Sequence, residues 1–288
     1  MVSYLLQRRF SCPVHRFNHN QWHSATLYTR LQREWLIMNY TQLFIFLLAA
    51  GMVNNCKASN SVSDHDNGIS IAMDEINWQS HWENNNIGFH LDQANPMLVK
   101  HWPKIRAVPK DMVFVPLCGK SLDMVELHKQ GHFVIGSELS EVAVEAFFSE
   151  QNLDYTRQAA GEHEYWSSER LALVQGDFFT LTKESVPARF VYDRAALVAL
   201  PPGKQEAYIE QLLRIAPDIE QILLITVEYD DIAAAAPPFS IPPNRVKALY
   251  GDHFEIDLIE TRDTKPSPRK QAQGLQVITE HVFKLDRK

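Results

Sequence analysis

The chain has 288 residues, 45% hydrophobic and 22% charged, which is ordinary for a globular protein and enough for one large domain or two small ones. Its formal charge of −7 is uneven: residues 1–72 carry six Arg/Lys against three Asp/Glu, which leaves 22 basic and 32 acidic residues in 73–288. An acidic body repels phosphate backbones, and no run of Lys/Arg interleaved with aromatics offsets that locally, so nucleic acid is not expected as a partner.

Residues 1–72 change character several times, from an Arg/His/Trp-rich start through an apolar stretch, Leu43–Val53, to an Asn/Ser/Asp-rich run. The apolar stretch has about half of the ~20 residues a membrane helix needs, so no membrane span is expected. Read from Met38, it precedes Ala49-Ala50-Gly51 in the manner of a signal peptide, but its first residues carry no positive charge. The expectation is an N-terminal extension, disordered or the product of a mis-called start, with a self-sufficient domain over 73–288.

From Val113 the chain alternates short β-rich runs with amphipathic stretches, the pattern of βαβ units. Strands are predicted at Met112–Leu117, His132–Gly136, Leu171–Val174, Phe190–Tyr192 and Gln221–Glu228. Helices are predicted at Leu122–Gln130, at Glu141–Gln151 behind the cap Ser140, and at Pro202–Ile215 with proline at its first position. Ala233–Ala236 and Pro237-Pro238 read as a loop. Phe254–Glu260 and Gln276–Lys284 add two strands with no helical pattern between them, which suggests an antiparallel edge. The sum is an α/β fold: a seven-stranded, doubly wound, mostly parallel sheet of Rossmann-like type, whose ligands bind at the carboxyl ends of the strands.

Chemistry is therefore sought at Leu117–Lys120, Glu138, Gly176–Phe178 and Asp193-Arg194. Gly119-Lys120-Ser121 resembles the end of a P-loop, but the first glycine of that motif is replaced by Phe114, and no glycine triplet of the dinucleotide type is present. What remains is a tight turn and an acid, Glu138, at the end of the next strand, where a carboxylate accepts from ribose hydroxyls. With no pyrophosphate cradle, the ligand narrows toward an adenosine without phosphates, such as S-adenosylmethionine. Asp177 and Phe178 stand where an acid and a ring can flank an adenine. Asp193 and Arg194 end a central strand, where charges are costly unless paired or in contact with ligand. Trp78 and Trp82, at i,i+4, read first as a core stripe, but such rings can also cover a sulfonium. Three scattered cysteines, Cys12, Cys56 and Cys118, give neither a disulfide framework nor metal-ligand spacing, which implies a reducing compartment, the cytoplasm, and no metal.

Over 73–288 these residues resemble the bacterial branch of the thiopurine S-methyltransferase family. The resemblance is carried by Trp78-Gln79-Ser80-His81-Trp82, Gly88-Phe89-His90, the turn Pro116-Leu117-Cys118-Gly119-Lys120, Glu138-Leu139-Ser140, the run from Asp193 to Ala199, and Pro237-Pro238-Phe239. It implies the class I methyltransferase fold with S-adenosyl-L-methionine as methyl donor. It further implies Trp82, Leu117, Glu138, Asp177 and Arg194 as cofactor contacts, and Phe89 as lining the acceptor pocket. No covalent nucleophile is expected, and Cys118 is expected to be structural. The acceptor implied is a small-molecule thiol, with selenium or tellurium compounds beside it, and the protein is expected to be a monomer. The segment Arg269–Gly274 departs from the animal enzymes and leaves the acceptor open. Open alternatives are a halide or small-thiol methyltransferase and a non-catalytic module that binds the donor.

Overall fold

The computed structural model describes residues 76–229, 237–272 and 274–288; the expectations for residues 1–72 and for Ala233–Ala236 lie outside the described residues. The strands are β1 (Met112–Val115), β2 (Phe133–Glu138), β3 (Thr156–Ala160), β4 (His163–Ser168), β5 (Leu171–Gln175), β6 (Phe190–Arg194), β7 (Gln221–Glu228), β8 (Phe254–Thr264) and β9 (Ile278–Arg287). They form a single sheet in the order β3-β4-β5-β2-β1-β6-β7-β9-β8. The central five, from β5 to β7, pair in parallel, and both flanks are antiparallel.

The expected α/β sheet is present with all seven of its predicted strands, and the β3–β4 hairpin extends it by two. The parallel strands are buried on both faces, as expected where helices cover a sheet on each side: Val113, Phe114 and Val115 in β1 are at most 2% exposed. β3 sits at an edge and leaves most of its side chains in solvent, so it lacks the alternation by which a strand is recognised.

The helices are α1 (Trp78–Glu83), α2 (Pro96–His101), α3 (Leu122–Lys129), α4 (Glu141–Glu150), α5 (Pro202–Ile215), α6 (Pro243–Tyr250) and α7 (Pro268–Ala272). Their starts follow capping chemistry. Ser121 and Ser140 accept from the amides of Asp123 and Ala143, Asn77 and Asn95 from those of Ser80 and Met97, and α2, α5 and α6 begin on proline. From β1 the chain moves outward through α3 to β2 and then β5, and later returns to the other side of β1 as β6. The strand order therefore reverses between β1 and β6, and the crevice opens there. Among the described residues no helix is long and apolar enough to cross a membrane.

Candidate active site

The turn after β1 is built around the end of β2. The Cys118 amide donates to the Ser137 carbonyl at 2.8 Å, the Leu117 amide to Ser137 Oγ at 3.3 Å, and the Gly119 amide to Glu138 Oε2 at 2.9 Å. To make these bonds Leu117 takes φ 45° and Gly119 φ 54°. The left-handed region costs a leucine roughly 1–2 kcal/mol. The strain thus lies directly at the mouth of the switch point.

Glu138 is 6% exposed, and its second oxygen accepts from the Ser140 amide at 2.8 Å. Burial pushes its carboxyl up, while the Ser140 and Gly119 amides pull it back. No cation pairs with it among the described residues. A carboxylate with two oxygens has about four acceptor positions, so two backbone amides leave room for further donors.

Aromatic rings cover this turn. Trp82, 8% exposed, lies so close to Gly119 that a Cβ there would sit 2.7 Å from Cζ2 of its ring. Phe89 meets Trp82 and Trp78 edge-on, with centroids 5.4 and 5.7 Å apart. Arg194, which ends β6, donates through Nη2 to the Phe89 carbonyl at 3.2 Å. His90, next along, is held below its ordinary pKa by burial and by Lys120, with a smaller effect from Arg194. Trp82, Leu117, Glu138, Arg194 and Phe89 thus converge around one turn at the carboxyl ends of β1, β2 and β6.

The structure refines the expectations for Phe178, Asp177 and Asp193. Phe178 is a core residue, 2% exposed and packed on Tyr208 with centroids 5.1 Å apart, so its ring is not available to an adenine. Asp177, beyond β5, is exposed, and its Oδ1 accepts from the Phe179 amide at 2.9 Å as the cap of a short 3-10 turn. The Asp177 backbone nonetheless adjoins the site, because the Gly176 amide donates to the Glu138 carbonyl at 2.9 Å. Asp193 faces away from the crevice. Its oxygens accept from the Tyr208 hydroxyl at 2.8 Å and the Leu197 amide at 3.3 Å, which shapes the turn behind Arg194, and Ala195 in that turn has φ 66°.

Cys118 donates to the Gly119 carbonyl, and its sulfur packs where a Gly136 side chain would stand. Burial first, then the Glu138 charge, pushes its thiol well up, so it is neutral and structural rather than nucleophilic. The sequence reading missed Asp123. It is 1% exposed and accepts from the Asn95 amide at 2.6 Å and the Tyr192 hydroxyl at 2.9 Å, which ties the start of α2 to the back of the site. An acid in a helix's first turn reads as a dipole partner, and nothing in its spacing marks it as buried. Among the described residues no group of three or more His, Cys, Asp or Glu is placed to hold a metal ion.

A carboxylate at the end of β2, a glycine turn without a phosphate cradle and a cluster of indole and phenyl rings suit an uncharged adenosine carrying a cationic sulfur. The family model for Thiopurine S-methyltransferase (TPMT) matches residues 73–288. A curated thiopurine S-methyltransferase of Shewanella baltica (strain OS223) is 41% identical over 213 residues, 73% of this chain and 98% of that protein. One from Methylococcus capsulatus is 41% identical over 216 residues, 74% of this chain and 97% of that protein. Among solved structures, a SAM-dependent methyltransferase from Anabaena variabilis superposes with a TM-score of 0.51 at 11% identity, covering 81% of this chain and 100% of that one, a likeness of fold alone. Residues 73–288 place this chain in the thiopurine S-methyltransferase family.

Proposed function

We propose that the chain methylates the sulfur of thiopurines and other aromatic thiols in the cytoplasm, with selenium and tellurium compounds as further acceptors. Its family makes it an S-adenosylmethionine-dependent S-methyltransferase. The observation that carries the reading is Glu138, a buried carboxylate bonded to two backbone amides, one of them from Gly119, which lies against the ring of Trp82. S-adenosyl-L-methionine, when bound, supplies a methyl group on a positively charged sulfur.

The protein's own work is alignment and exclusion of water. Glu138 offers its remaining acceptor positions to the ribose hydroxyls. Trp78, Trp82 and Phe89 close the mouth of the crevice and present aromatic surface to a cation. Arg194 is fixed by the Phe89 carbonyl, and its other N–H groups are left to hold the charge of an ionised acceptor. An aromatic thiol ionises readily, so no side chain has to remove its proton in the transfer step.

Titration calorimetry with S-adenosylhomocysteine, followed by turnover on 6-mercaptopurine, selenite and iodide, tests the reading. Donor binding and turnover on the thiol are expected. Turnover on iodide alone overturns the acceptor assignment, and absence of donor binding overturns the whole.

A further inference from the structure

The β3–β4 hairpin carries a histidine to the edge of this site. β4 runs antiparallel to β5, with Glu164 opposite Gln175, so His163 at the start of β4 stands beside the carboxyl end of β5, where Gly176 and Asp177 follow. Gly176 has φ 141°, and a Cβ on it would lie 2.5 Å from Cδ2 of the His163 ring. The ring therefore packs directly on the glycine backbone.

The same ring reaches past it. His163 Nε2 is 3.1 Å from the Asp177 carbonyl and 3.1 Å from Thr180 Oγ1, and the Thr180 hydroxyl donates to that same carbonyl at 3.0 Å. A carbonyl only accepts, so Nε2 carries the proton and donates. The turn is held on its other side too. The Gly176 amide donates to the Glu138 carbonyl, and Gln175 Nε2 donates to the Leu139 carbonyl at 3.0 Å.

We propose that His163 is a positioning residue for the methyl donor: by packing under Gly176 and donating to the Asp177 carbonyl, it sets the place of the turn whose Gly176 amide is bonded to Glu138. The inference rests on the proposed binding of an adenosine beside Glu138. Its consequence is selective, because the turn follows β5, whereas Phe89 is held by Arg194 at the end of β6, three strands across the sheet. The ring acts through the turn and touches no reacting atom.

The test compares wild type, His163→Ala and His163→Gln, the last keeping an N–H at similar reach. Calorimetry with S-adenosylhomocysteine and steady-state kinetics are expected to show about three- to tenfold weaker donor binding and a matching rise in donor KM for His163→Ala, from the loss of one hydrogen bond and its packing. The acceptor KM is expected to stay level, and His163→Gln to recover most of the loss. Unchanged donor affinity in His163→Ala, a rise in both KM values together, or a loss that His163→Gln does not restore overturns the proposal. A wild-type chain that binds no S-adenosylhomocysteine overturns the donor assignment itself and this inference with it.

Discussion

Asp193 is fully buried and makes no ion pair among the described residues; its oxygens accept from the Tyr208 hydroxyl and the Leu197 amide. Burial pushes its carboxyl from 3.8 up to about 6, against the pull of those donors. Between the two values the folded chain holds a proton that the unfolded chain releases. The contribution of Asp193 to stability is therefore complete below about pH 3.8 and is lost as the pH rises through 6. A shift of about two units is worth roughly 3 kcal/mol, of which about 1.4 kcal/mol is lost between pH 5 and 7.5. Asp193→Asn keeps the shape and one acceptor but does not titrate. Urea unfolding of both proteins across that range should show the wild type losing about 1.4 kcal/mol relative to the variant. A difference that stays flat with pH refutes the claim that this carboxyl is held up by burial behind Arg194.

Three further substitutions probe the crevice. Glu138→Gln should weaken S-adenosylhomocysteine binding at least about 100-fold, since hydrogen bonds to a charged acceptor contribute roughly 1.5–3 kcal/mol each; calorimetric affinity near that of wild type would remove Glu138 from the site. Gly119→Ala brings a Cβ to within 2.7 Å of the Trp82 ring at a φ of 54°, and should cost about 1–3 kcal/mol with a change in tryptophan emission, read by thermal melting and fluorescence. Cys118→Ser should retain turnover, and iodoacetamide labelling mapped by mass spectrometry should leave Cys118 unmodified in the native protein; rapid labelling there would contradict a buried, protonated thiol.

The parallel centre of the sheet was legible because each of its strands is an apolar run followed by a capped helix or a polar turn. Pro202–Ile215 and Gln221–Glu228 were placed at the bounds observed. The β3–β4 hairpin was not legible, because β3 is an exposed edge and β4 buries only Trp166 fully, so neither shows period-two alternation. The site divided along the same line. Glu138 and the Gly119 turn could be placed from strand ends alone, since topology fixes where a strand's carboxyl end points. Asp193 could not be separated from Arg194 in this way: both end β6, but neighbouring residues of a strand face opposite sides of the sheet, and only Arg194 reaches Phe89. Phe178 likewise follows a strand end but turns into the core against Tyr208.

The strained residues of the two central turns follow the same geometry. Leu117 comes two residues after β1 and Ala195 one residue after β6, and both take positive φ without being glycine. These are the two strands between which the order reverses, so their loops depart toward opposite sides and a ligand can enter between them. A right-handed turn at either place would carry the backbone on in another direction. At Leu117 the left-handed turn lets the next two amides reach the Ser137 carbonyl and the Glu138 carboxylate. At Ala195 it lets the following turn close on Asp193, whose Oδ1 takes the Leu197 amide, while Arg194 stays toward Phe89. The two acids therefore do related work at different depths: Asp193 shapes the turn from within the core, and Glu138 shapes its turn while keeping acceptor positions for a ligand. That difference in what remains unsatisfied, more than the charge the two share, places one in the site and the other behind it.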